Sequence, residues 1–113
     1  MVRKWDARVF RHLLKLSISW KEQQRAECLS KLLREYKHEY AAHRDRLGGK
    51  IKALEAILAE IPDQSAASMA IKIGEMLDNP RSSFLGVQHS ECALRGWADG
   101  LNEALELVRK FDD

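Results

Sequence analysis

The sequence predicts an all-α fold: a single-domain bundle of four to five helices built around one long central helix. Three observations carry that expectation. Apolar residues recur at spacings of three and four through most of the chain, which is the helical period and not the strand period. The 113 residues include only 6 Gly and 2 Pro, so few positions interrupt a helix. At 45% apolar and 32% charged, the composition fits one folded core and excludes disordered, collagen-like and linker-like chains.

The first helix is expected from Arg3 to Leu16, with Trp5, Val9, Phe10, Leu13, Leu14 and Leu16 on its apolar side. On a helical wheel Lys4, Arg8, Arg11 and Lys15 fall within a sector of roughly 40–60° opposite that side. Ser17-Ile18-Ser19 interrupts the pattern, and Ser19 with Glu22 three residues later has the form of a capping box. A long second helix is therefore expected to start near Trp20. Its stripe runs Ala26, Leu29, Leu33, Tyr36, Tyr40, His43 and Leu47 in the alternating steps of a coiled-coil seam. Gly48-Gly49 marks a turn, since two glycines inside a helix cost about 2 kcal/mol. The alternative is a continuous helix with a stutter, because the stripe resumes at Ile51, Leu54, Leu58 and Ile61. Pro62 closes the third helix. A fourth spans Gln64 to Leu77, Arg81 to His89 forms a loop, and the last helix runs from Ser90 to Phe111.

Small residues form i+4 rows in the last two helices: Cys92, Gly96, Gly100 and Ala104 in one, Ala66, Ala70 and Gly74 in the other. Such ridges let backbones approach closely, so these helices are expected to pack on each other or on a symmetry mate. A seam too long for the shorter helices to cover makes a homodimer the expected assembly.

Charge is divided along the chain. Residues 1–52 hold 14 Lys and Arg against 6 Asp and Glu (net +8), and residues 53–113 hold 5 against 11 (net −6), which together give +2. That asymmetry points to an anionic partner, or to two halves that neutralise each other on folding or dimerising. Lys4, Arg8, Arg11 and Lys15, continued by Lys21 and Arg25, are the candidate surface for such a partner. A solvated face opposite a buried stripe is the plain alternative. No zinc-finger spacing or other nucleic-acid recognition motif accompanies the basic residues.

No catalytic motif is present: there is no Gly-rich phosphate loop, no GxSxG and no HExxH. Glu35-x-x-His38 and His89-x-x-Cys92 are half-sites without the further ligands a metal needs. The carboxylates Glu55, Glu60, Glu75, Asp78, Glu103 and Glu106 read as an acidic surface. Neither metal nor cofactor is expected. Cys28 and Cys92 are expected to be reduced packing residues. The absence of a membrane-length apolar run and of a signal-like start gives a cytoplasmic expectation. Trp20, outside the main stripe, should be the exposed tryptophan. It joins Phe84, Leu85 and Trp97 as the candidate protein interface, although helical spacing favours a core position for Trp97. The functional expectation is a small non-enzymatic protein–protein interaction module, an adaptor, regulator or inhibitor of the kind compact phage genomes encode, docking through a helical face. Binding of DNA or RNA through the basic first helix is the alternative.

Overall fold

A computed structural model describes residues 3–35, 38–61, 65–79 and 91–112 of the chain. Four helices carry the architecture: α1 (Ala7–Glu35), α2 (His38–Glu60), α3 (Ala66–Asp78) and α4 (Glu91–Val108). Two strands of two residues each, β1 (Arg3–Lys4) and β2 (Phe111–Asp112), pair in parallel, Arg3 opposite Phe111 and Lys4 opposite Asp112. The all-α class follows. The single long central helix does not, because α1 and α2 are both long and form an antiparallel pair.

Asp6 opens α1 as its N-cap, its Oδ1 accepting the Arg8 amide at 2.9 Å while its carbonyl accepts from Phe10. The helix thus begins four residues later than expected, and Lys4 stands on β1. It then continues through Ser17-Ile18-Ser19, where the sequence suggested a break. Ser17 faces inward and is bonded across the bundle, and Ile18 packs against the core, so both residues serve α1 better inside the helix than at its end.

α1 ends at Glu35 and α2 begins at His38, so Gly48-Gly49 lies inside a helix and is not a turn. Lys31 Nζ lies 5.9 Å from the Tyr40 ring centre, and the Arg25 guanidinium reaches Gly48, so α1 and α2 run antiparallel. The expected stripe is not a buried seam: Ala26, Leu29, Leu33 and His43 are exposed, and Leu47 alone of its described members is buried. Tyr36 lies outside the described residues, as does the Arg81–His89 segment. Cys28, buried on the inner side of α1, takes the packing position instead.

Both glycines sit inside α2: α4 passes directly over Gly49, and the Arg25 side chain of α1 lies over Gly48. A methyl group on Gly49 would overlap the Ala93 carbonyl oxygen and stand 2.8 Å from the Trp97 amide nitrogen. One on Gly96 would overlap the Arg46 carbonyl oxygen, and one on Gly100 would stand 2.7 Å from both the Ala53 Cβ and the Lys50 carbonyl oxygen. These contacts advance together along both helices, so α2 and α4 run in the same direction at close range. The ridge of α4 therefore packs on α2, not on the Ala66–Gly74 row of α3. Gly74 has nothing within 4 Å of where a Cβ would stand.

α3 begins at its N-cap Ser65, whose side chain accepts the Ser68 amide, and packs along the side of α4. The core is made of Phe10 and Leu14 from α1, Leu54 and Ile57 from α2, Met69 and Ile73 from α3, and Leu101 and Ala104 from α4, all fully buried. Trp5, Phe10 and Phe111 close the end where the termini meet, with ring centres 5.2 to 6.1 Å apart. Among the described residues no helix is long and apolar enough to cross a membrane.

Candidate functional site

The first turns of α1 carry a basic surface because its opposite side is fixed in the core. Phe10 and Leu14 point inward, which turns Arg8, Arg11 and Lys15 outward on successive turns. Arg8 is 93% exposed and its Nε lies 3.8 Å from Asp6 Oδ1, a separation worth little in water. Lys4, Arg11, Lys15 and Arg25 have no ion-pair partner among the described residues. Arg25 is exposed but leans over Gly48 of α2, away from the row formed by the other three.

Lys21 does not belong to this surface. Its Nζ donates to Ser17 Oγ at 2.7 Å and to Glu103 Oε1 at 2.8 Å, and Ser17 Oγ donates to Glu103 Oε2 at 2.9 Å. Its side chain is only 10% exposed, against 36% for Glu103. A lysine one turn from a serine invites comparison with a nucleophile and its base, but here the serine proton and the ammonium are both directed at one carboxylate. The triangle closes on itself and ties α1 to α4.

The structure adds cations that the helical wheel missed. The β1–β2 pairing carries Arg109 and Lys110, both exposed, to the side of Arg3 and Lys4, with the Arg3 amide donating to the Lys110 carbonyl at 3.0 Å. No local pattern announces this, since the two segments stand at opposite ends of the sequence and each strand is only two residues long.

The candidate protein interface is reduced. Trp97 is buried between α2 and α4, and Phe84 and Leu85 lie outside the described residues. Trp20 is 63% exposed as expected, and Leu16, one turn before it, is 54% exposed. They are an exposed apolar pair on α1.

Other chemistry is thinly represented. Among the described residues no three His, Cys, Asp or Glu side chains are grouped to hold a metal ion. Glu35 accepts a hydrogen bond from the Tyr40 hydroxyl at 3.2 Å. Cys28 and Cys92 are free thiols. A shallow groove of ≈ 310 Å³ runs between the start of α3 and the end of α4; Ala66, Ala70, Val108 and Phe111 give it apolar walls, and Arg109 and Asp112 stand at its edge. Comparison with protein-family models, with curated proteins and with solved structures finds no match to this chain.

Proposed function

We propose that this chain is a non-enzymatic docking module that receives a protein partner, another protein or a second copy, on the outer face of the first half of α1. One observation carries the reading: Leu16 and Trp20 stand exposed one turn apart on a helix whose opposite side is locked in the core. A solvent-facing tryptophan with an exposed leucine one turn away has the composition of an interface hot spot. The two free thiols, one of them buried, support placement in the reducing cytoplasm. The test compares the native chain with Leu16→Glu/Trp20→Ala, both checked for unchanged helicity, by sedimentation and by cross-linking capture from the native host. The variant is expected to lose a partner, or a dimer, that the native chain forms. Identical captures and a monomer in both cases would sink the reading.

A second reading, binding of DNA or RNA, is favoured by a different observation: Lys4, Arg11 and Lys15 have no ion-pair partner among the described residues. Contacts to several phosphates lose orders of magnitude in affinity between about 50 and 200 mM salt, and Arg8→Glu with Arg11→Glu should abolish them.

A further inference from the structure

Both ends of the described chain meet at the β1–β2 pair. Arg3 and Lys4 lie on β1, Arg109 and Lys110 lead into β2, and paired strands stand about 4.8 Å apart. Three residues after β1, α1 begins and presents Arg8, Arg11 and Lys15. Segments 3–15 and 109–112 thus bring together seven Lys and Arg with two carboxylates, Asp6 and Asp112. Six of the seven are exposed, Arg11 is half-buried, and Arg8 alone has an ion pair among the described residues. Collecting like charges without neutralising them works against the folded state, and the strand pair is what forces the two groups together.

We infer that the β1–β2 pairing completes a nucleic-acid surface, in which Arg109 and Lys110 contact the phosphates of the same strand or duplex that Arg8, Arg11 and Lys15 contact. The proposal rests on the nucleic-acid reading above and extends it from one helix to both termini. Arg8 to Lys15 spans about 10 Å of helix, and the strand pair with its turn adds roughly as much again. Over about 20 Å a DNA duplex presents roughly a dozen phosphate charges. A repeating anion satisfies exposed, hydrated cations at any register, whereas a folded acidic protein has to match their positions one by one. The apolar pair Leu16 and Trp20 points to a separate arc of α1, so the row itself is polar throughout.

The test titrates labelled single- and double-stranded DNA with the full chain at about 50 and 200 mM salt, reading anisotropy for the native protein, Arg8→Glu/Arg11→Glu, Arg109→Gln/Lys110→Gln and Asp112→Asn. Removing Arg109 and Lys110 is expected to lower the salt slope by about two, so that the affinity lost between the two salts shrinks roughly tenfold, with helicity unchanged. Asp112→Asn keeps the shape of β2 while deleting the acid opposite Lys4, and is expected to tighten binding several-fold. A mere disturbance of the strand pair would weaken it. If the native chain binds, the α1 reversal abolishes binding, and neither terminal variant changes affinity or slope, the nucleic-acid reading stands and the two-ended surface is overturned. If the native chain does not bind even at the lower salt, the reading itself fails. Tighter binding to phosphatidylserine vesicles than to either DNA at the same salt assigns the surface to a membrane and overturns the proposal.

Discussion

Lys21 shows how one long-range bond changes what a residue is for. By its spacing it continues the cationic row of α1, yet Glu103, far along the sequence, draws it into the bundle. The two partners are unequally hidden, the lysine side chain at 10% exposure and the carboxylate at 36%. Removing the anion therefore leaves a buried ammonium with Ser17 as its remaining partner in the triangle, whereas removing the cation leaves a carboxylate that water reaches. Breaking a buried pair from one side is costly in proportion to how poorly the survivor is solvated. Glu103→Gln is expected to cost about 2–3 kcal/mol and Lys21→Met less than about 1 kcal/mol. Urea denaturation measures both, and the reverse order would show that the triangle is held together by something other than lysine burial.

Helices in this chain are placed by period but delimited by contacts. The glycines make the point testable, because the same residue type occupies crowded and open positions. Gly96→Ala drives a methyl group into the Arg46 backbone and must separate α2 from α4, with an expected loss of about 1–3 kcal/mol. Gly74→Ala meets nothing within 4 Å and gains helix propensity, so it should stabilise by up to about 1 kcal/mol. Equal effects in thermal melts would mean that the close approach is not what retains Gly96. The same logic explains what the sequence made legible. The α-class, the helix end expected at Pro62 and the helix start expected at Gln64 follow from local chemistry and agree with the structure to within two residues, α2 ending at Glu60 and α3 beginning at Ala66. The end of α1 at Glu35 and the start of α2 at His38 have no glycine or proline to announce them, and the false breaks at Ser17–Ser19 and Gly48-Gly49 arose because Ser17 and Gly49 answer to partners on α4. For the candidate surface, Arg8, Arg11 and Lys15 were readable from the helical wheel. Lys21 was lost to a distant acid, and Arg109 and Lys110 were added by a strand pair too short for periodicity to reveal.

At the scale of the whole molecule, the divided charge is only partly reconciled by folding. Lys21–Glu103 and Arg46–Asp99 join the basic half to the acidic half, the latter at 2.6 Å, while the cations near the termini are left outside such pairs. Their position is unfavourable in a second way. Arg8 is the second residue of α1, where the helix dipole disfavours a cation and no acidic residue occupies the first turn. Its contact with Asp6, exposed and 3.8 Å long, offers little in return. A carboxylate at this position should stabilise the chain by roughly 0.3–1 kcal/mol, offset in part by repulsion from Asp6. Arg8→Glu is accordingly expected to raise the melting temperature by about 1–4 °C while weakening DNA binding and steepening neither slope nor cooperativity of unfolding. A variant that melts higher and binds less shows that the cation is kept at the expense of stability, as a functional surface requires. A variant that melts lower would show that Arg8 supports the fold, and the case for the basic end as a binding surface would lose its thermodynamic footing.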